Sequence, residues 1–310
     1  MRVTCQILNY NDADHVVRLV KKIIDYKLID NILIVDNCST DNSYSLLKKV
    51  FFNNIKVKVI KTLSNRGYGV GNNFGVNYAF NYLKSDYVLL SNPDVFFTEN
   101  VIKSLIDAML NDSNNGICAP TQKIKGKVIK ERAWKIPTKF QYVFGETRLA
   151  KLIGSTSLYK SSYFSSSRSG VDCVPGALLL LNVRKFLDIG GYDERMFLYC
   201  EETTIGFKMK KRGYSTILLN NEFYDHIQST SINKSIDDNV KQRYYIYYNR
   251  LIFLRDYLNA SRVWLYIAKK VFNYLLNRLS KGTQNNEKKQ RLNFPKGNSK
   301  NGIGNFKIFK

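Results

Sequence analysis

The first half of this chain predicts an α/β fold with a mostly parallel central sheet flanked by helices. Three observations carry that expectation. Short apolar, β-branched runs alternate with segments of helical period. Several of the runs stop abruptly at Asn or Asp. The hydrophobic content, 44% of 310 residues, is enough for a substantial core.

The elements follow in order. "VTCQIL" reads as the first strand, and Val16, Val17, Leu19, Val20, Ile23 and Ile24 then recur at helical spacing. "NILIVD" is the second strand, and "NCSTDNS" is a turn rich in cap-forming residues before a short helix through Leu46, Leu47 and Val50. "IKVKVI" is the third strand. The loop "LSNRGYGVGNN" leads into a helix carrying Phe74, Val76, Tyr78, Ala79 and Leu83. "YVLLS" is the fourth strand, followed by a helix with Val101, Ile102, Leu105, Ile106 and Met109 on one face. "GICAPT" reads as a fifth strand. Strands separated by helices imply right-handed βαβ units. From about Gln122 to Gly170 the periodicity is poor, and "STSLYKSSYFSSSRSG" reads as a mobile serine-rich loop. Order resumes at "VDCVPGALLLLNV" and continues through turn, helix and the strand "STILLN". Asp238 to Leu279 reads as helical, aromatic and basic.

The net charge of +23, from 48 Lys+Arg against 25 Asp+Glu, points to an anionic partner: nucleic acid, an acidic membrane surface or a phosphorylated substrate. The five cysteines are scattered without a CxxC, which fits a reducing compartment and no zinc site. Only His15 and His226 are present, so a histidine-rich metal cage is excluded. "MRVTCQILNY" reads as a strand rather than a leader, and runs such as "GALLLLNV" are far shorter than a bilayer span. A cytoplasmic protein is expected.

Several motifs can carry chemistry. In "YVLLSNPDVFF", Pro93 ends ladder pairing and makes a strand-end corner presenting Asp94. Carboxyl ends of strands are where open α/β sheets bind ligands, although Asn, Pro and Asp also make ordinary turns. Asp36 ends the second strand and is read as accepting from a base or ribose, whereas Asp41 is read as a helix cap. "GYGVGNN" is not a dinucleotide fingerprint, because the third glycine would fall at Asn72. Its glycines allow a tight turn or a close backbone approach. Glu201 and Glu202 are adjacent at a helix start. Their repulsion can raise one pKa for general-base work, or they can simply complement the helix dipole. His226, beyond "STILLN", is either structural or, with one Asp and a diphosphate, part of a shell for Mg²⁺ or Mn²⁺.

Taken in order, "ILNYN", "ILIVDNCSTDNS", "SNRGYGVGNNFGVNYA", "YVLLSNPDV", "PGALLLLNVRKFLDIGGYDERMFLYCEE", "RGY", "YDHIQS" and "YYNRLIFLRDY" resemble family 2 nucleotide-sugar glycosyltransferases of the GT-A fold, over about residues 1–258. The likeness is greatest to the subgroup building bacterial capsules, O-antigens and other surface polysaccharides, including rhamnosyltransferase-like members. The resemblance implies that Tyr10 and Asp36 hold the nucleotide base with Asn9 nearby, and that Arg66 lies by the nucleotide. It implies that Asp94 is the metal-binding acid of the D-x-D element, Asn92 replacing its first Asp, and that His226 is the late metal or diphosphate ligand. Glu202 is then the catalytic base, with Gly176, Ala177 and Glu201 on the acceptor side. Two departures stand out: Glu202 occupies the position of a shorter Asp, and Thr204 stands where a further acid is common.

The implied reaction is an inverting, metal-assisted transfer from a UDP- or dTDP-linked sugar to a saccharide or lipid-linked saccharide. The implied organisation is a catalytic domain over 1–237 (nucleotide-sugar half 1–120, acceptor half 121–237), amphipathic helices over 238–280, and a basic disordered tail over 281–310. The C-terminal aromatics and cations suit the inner face of an anionic membrane. A nucleotidyltransferase of similar architecture is the nearest alternative, but "NYNDAD" is acidic where a basic phosphate loop belongs. A nucleic-acid-binding protein is the other alternative. No recognition motif appears, so no specific nucleic-acid partner is expected.

Overall fold

A computed structural model of the chain describes residues 1–227 and 239–291. The chain divides into two compact units, Met1–Ile136 with Ser157–Ser235, and Pro137–Thr156 with Ile236–Lys310. In chain order the elements are β1 (Val3–Asn9), α1 (Ala13–Ile23), β2 (Asn31–Asp36), α2 (Ser43–Val50), β3 (Val57–Lys61), α3 (Tyr68–Asn81), β4 (Tyr87–Ser91), β5 (Val95–Phe96), α4 (Glu99–Asn111), β6 (Asn115–Ile124) and β7 (Lys127–Val128). Next come α5 (Lys139–Phe144) and α6 (Arg148–Leu152), which belong to the second unit. The first unit resumes with a 3-10 turn at Ser161–Phe164, β8 (Arg168–Val171), β9 (Leu178–Asn182), α7 (Val183–Asp188), α8 (Glu201–Arg212) and β10 (Ser215–His226). Two long helices, α9 (Asn239–Asp256) and α10 (Arg262–Arg291), belong to the second unit.

The sheet of the first unit runs β3-β2-β1-β4-β9-β6-β10-β5, with β7 beside β6 and β8 beside β10. It is mixed. β3, β2, β1 and β4 are parallel, as the alternation predicts. However, β9 lies antiparallel between β4 and β6. Its run "LLLLN" is buried on both faces, and such a run carries no signal of direction. The side chains alternate between two cores. Ile32, Ile34 and Leu89 pack with Val16, Leu19 and Leu105 on one face. Leu33, Val35 and Leu90 pack with Val76, Ala79 and Ile205 on the other.

Four differences from the sequence reading matter. The fifth strand extends past "GICAPT" to Ile124, so it includes Gln122. The serine-rich stretch is ordered around its aromatics: Tyr159 and Tyr163 stack at 4.5 Å, and Phe164 packs edge-on to both. Residues 137–156, expected within the acceptor half, pack instead with the C-terminal helices. There Glu146 accepts from Arg243, Arg250 and Tyr247, and Tyr142 meets Phe253 at 5.0 Å. Helix α10 also continues to Arg291, into the segment expected to be tail. Residues 292–310 of that expected tail lie outside the described residues.

Candidate active site

The predicted residues of the first unit gather at one end of the sheet. Parallel pairing sets Asn9 opposite Asp36 at the carboxyl ends of β1 and β2. Asp36 is fully buried, and both its oxygens serve the loop that follows. Oδ1 accepts from Asn9 Nδ2 at 2.8 Å and Ser39 Oγ at 2.6 Å, and Oδ2 accepts from Ser39 N at 3.0 Å. The structure therefore adds to Asp36 a loop-organising role that the sequence did not reveal. Tyr10 follows β1, half-buried. Asp41 accepts from Ser43 N at 2.9 Å, a bond across the turn one residue ahead of the helix N-cap, which is Asn42 rather than Asp41. Arg66 is exposed and faces Glu194 at 3.8 Å.

The glycine loop approaches protein backbone closely. Gly67 has φ +104°, and a Cβ there would lie 2.0 Å from the Phe197 carbonyl oxygen. Only glycine fits. Tyr68 N donates to the same oxygen at 2.9 Å, which fixes the start of α3 against the segment leading to α8.

The corner after β4 is built from the neighbouring strand. Asn92 N donates to Ala177 O at 2.8 Å. Beyond the corner β5 pairs antiparallel with the end of β10, His226 opposite Val95. That pairing sets His226 Nε2 3.2 Å from Asp94 Oδ1, with both side chains largely buried. Among the described residues no group of three or more His, Cys, Asp or Glu could hold a metal. The pair nonetheless fits a divalent cation whose other ligands are substrate oxygens. One carboxylate with phosphates suits Mg²⁺, and an imidazole is acceptable to Mn²⁺.

The adjacent acids sit behind an unusual backbone. Tyr199 and Cys200 have φ +76° and +69°, two consecutive left-handed residues with side chains. Such residues cost about 1–3 kcal/mol each and cluster where geometry matters functionally. They turn the chain sharply into α8, so that Glu201 points inward and Glu202 lies against Gly176. Glu201 is 3% exposed, and its Oε1 has no hydrogen-bond partner. Burial first, and the Glu202 charge second, hold its carboxyl well above the usual range. Burial also raises Glu202, opposed by backbone hydrogen bonds that include Gly176. Tyr68 Oη donates to Gly176 O at 3.0 Å. Thr204 donates its hydroxyl to Cys200 O at 2.9 Å, so it closes the first turn of α8 where the resemblance leads one to look for an acid.

Tyr224 joins the two halves of the site. It is buried, and burial first, then Tyr68, Glu202 and Asp94, raise its hydroxyl pKa. Tyr68, Gln122 and Tyr224 were not singled out from the sequence. Each lies in a segment whose pattern reports only a strand or a turn. A separate open cavity of about 410 Å³ lies where β10 begins, lined by Lys135, Tyr159, Tyr163, Asp172, Lys210 and Tyr214.

The sequence profile of glycosyl transferase family 2 matches residues 5–170. The chain belongs to that family. Among curated relatives of this glycosyltransferase-family protein, the N-acetylglucosaminyl-diphospho-decaprenol L-rhamnosyltransferase of Mycobacterium tuberculosis is 24% identical over 201 residues, covering 60% of this chain and 63% of the relative. The low-salt glycan biosynthesis hexosyltransferase Agl10 of Haloferax volcanii is 23% identical over 206 residues, covering 66% of this chain and 60% of the relative. The chain thus spans less than two thirds of the curated relatives it matches. The mannosyltransferase PcManGT of Pyrobaculum calidifontis, solved with GDP-Man and Mn²⁺, superposes with TM-score 0.57 at 12% identity, covering 89% of this chain and 72% of that one. Residues 1–349 of S. aureus TarS, solved with UDP-GlcNAc, give TM-score 0.53 at 14% identity, covering 90% and 72%. These likenesses show that the family 2 chain has the GT-A fold. Among its described residues no helix is long and apolar enough to cross a membrane.

Proposed function

We propose that this family 2 protein is an inverting glycosyltransferase. It moves a sugar from a UDP- or dTDP-linked donor to a saccharide or lipid-linked saccharide during synthesis of a cell-surface polysaccharide. The observation that carries the reading is the pairing of Asp94 with His226 at the same sheet end as Glu202 on Gly176. Asn9, Tyr10, Asp36 and Arg66 bind the nucleotide, with Asn92 beside the diphosphate. Asp94 and His226 hold Mg²⁺ or Mn²⁺, and that cation supplies Lewis-acid neutralisation of the leaving diphosphate.

The chain's own residues do the rest. Glu202, deprotonated, accepts the proton of the acceptor hydroxyl as its oxygen bonds to the anomeric carbon. The bond from that carbon to the diphosphate oxygen breaks, and its electrons leave with the nucleotide. Gly176 and Ala177, with no side chain beyond a methyl, leave room for the acceptor beside that base. Burial and the neighbouring Glu202 charge favour the protonated form of Glu201, which adds no competing charge.

The protein acts at an anionic membrane surface. In the second unit the aromatics divide between interior and exterior. Phe253 and Phe272 are buried, whereas Val263, Tyr266, Lys270 and Tyr274 share one exposed stripe of α10. Aromatic rings beside cations suit the headgroup region. The direct test is incubation with nucleotide sugars, Mn²⁺ and lipid-linked or free saccharide. Release of nucleoside diphosphate, with an inverted linkage in the product, supports the reading. Release of pyrophosphate identifies a nucleotidyltransferase instead.

A further inference from the structure

His226 can ligate a cation through Nε2 only if that nitrogen has a bare lone pair. The hydrogen-bond partner of the other ring nitrogen decides that. Gln122 Nε2 lies 2.8 Å from His226 Nδ1. With the amide nitrogen turned toward the ring, Nδ1 is the acceptor, an arrangement that leaves the proton of a neutral imidazole to Nε2, 3.2 Å from Asp94 Oδ1. The other end of the amide is held as well: Tyr224 Oη donates to Gln122 Oε1 at 3.0 Å. These groups come together because Tyr224 and Gln122 are register partners across β10 and β6. Gln122 is 6% exposed and Tyr224 1%, so bulk water does not substitute for either partner.

A half-turn of the amide inverts the network without moving a backbone atom. Oε1 then accepts a proton on Nδ1, and Nε2 of Gln122 donates to the Tyr224 oxygen, which has lone pairs to receive it. The imidazole proton is now on Nδ1, and Nε2 is bare beside Asp94. A glutamate at 122 could only accept and a leucine could do neither; glutamine can serve both states.

The geometry points to Gln122 as the positioning residue that sets the His226 tautomer. One amide orientation keeps His226 hydrogen-bonded to Asp94, and the other presents Nε2 to a divalent cation and a nucleoside diphosphate. This inference rests on the reading of Asp94 and His226 as metal ligands. It makes occupancy of the site a two-state matter, in which cation and diphosphate are taken up as the Tyr224–Gln122–His226 chain inverts.

The experiment is ¹⁵N NMR of full-length protein labelled in its two histidines, with His15→Gln to leave His226 as the single ring. Metal-free wild type should carry its proton on Nε2. Mg²⁺ with UDP or dTDP should move it to Nδ1. Gln122→Glu should have Nδ1 protonated without metal and should retain Mn²⁺ affinity, read from the electron paramagnetic resonance of free Mn²⁺. Gln122→Leu should lose about 10–100-fold in that affinity, the usual effect of removing the partner of a histidine ligand. A proton already on Nδ1 in metal-free wild type overturns the inference. So does a proton that stays on Nε2 while Mn²⁺ binds, or a Gln122→Leu protein with wild-type affinity. Wild type that takes up no Mn²⁺ with either nucleotide overturns the metal reading itself. That failure is distinguishable, because the metal-free tautomers of wild type and Gln122→Glu still decide whether Gln122 governs the ring.

Discussion

Gly176→Ala tests where the base sits. A Cβ at Gly176 would lie 3.1 Å from Glu202 Oε1, 3.3 Å from its Cγ and 3.4 Å from Tyr68 Oη. Gly176 is not among the positive-φ glycines, so the backbone accepts alanine and the effect falls on the neighbours. The carboxylate has to retreat by a few tenths of an ångström. A displacement of about 1 Å in a catalytic constellation costs about 10²-fold, so kcat should fall roughly 3–10-fold. The added methyl also excludes water from a carboxyl that burial already holds high, so the acid limb of the pH–rate profile should move to higher pH. Overpacking typically costs about 1–3 kcal/mol, at the low end here because side chains rather than backbone yield. Turnover and KM across the acid range, from nucleoside diphosphate release, read the first two effects, and thermal denaturation reads the third. In a Glu202→Gln background the alanine should cost no further turnover, since the group it displaces is no longer a base. Wild-type turnover with an unshifted acid limb in Gly176→Ala would refute the placement of Glu202, as would full additivity of the two substitutions.

Glu202→Gln alone should lose about 10²–10⁴-fold in turnover with donor binding kept, measured by steady-state kinetics and calorimetry; equal loss in Glu201→Gln only would move the base by one residue. Asp94→Ala should abolish transfer at little cost in melting temperature, and chelator should abolish wild-type activity until Mn²⁺ or Mg²⁺ is restored. Full activity in chelator counts against any metal role. Glu201 has a folded pKa raised by burial and by Glu202, so its contribution to stability is present below the free carboxylate value and is lost as pH rises through the folded one. Glu201→Gln should therefore gain stability over wild type with rising pH, by up to about 1.4 kcal/mol per pH unit within that window, and a pH-independent difference would contradict a buried titrating acid. Tyr266→Ser with Tyr274→Ser should weaken co-sedimentation with anionic liposomes while preserving the fold. Truncating α9 and α10 is a poorer test, because Tyr142 and Val143 of the same unit are buried.

The parallel half of the fold was legible because its helices and strands carry their own periods: the faces named for α1 and α4 are buried, although Val50 of α2 and Phe74 of α3, named with their helices, are exposed. Asp94 was legible for a related reason: Pro93 must end a ladder, so the side chain after it must lie at a strand end. The direction of β9 was not legible. A run buried on both faces has no polar side by which to tell it from a parallel neighbour. The packing of residues 137–156 with the C-terminal helices was not legible on similar grounds, since the partners of Tyr142 and Glu146 lie about a hundred residues further on. Local pattern carries no information across such a gap.

The site residues missed share a cause with those misread. Asp36 was identified by its strand end, but the three bonds it accepts come from Asn9 and Ser39, brought to it by the pairing of β1 with β2 and by the turn after it. Gln122 has no motif at all. It matters because a register places it opposite Tyr224, and an antiparallel pair two residues on turns His226 toward Asp94. A sequence names residues able to do chemistry; which proton each one carries is fixed by neighbours that only the folded register supplies. The roles proposed for Asp94, His226 and Glu202 as acid, ligand and base rest on type and order. Whether His226 offers a lone pair or a proton follows from a glutamine on another strand. For that reason substitutions at Gln122 should separate metal affinity from donor recognition in a way that substitutions at Asp94 cannot.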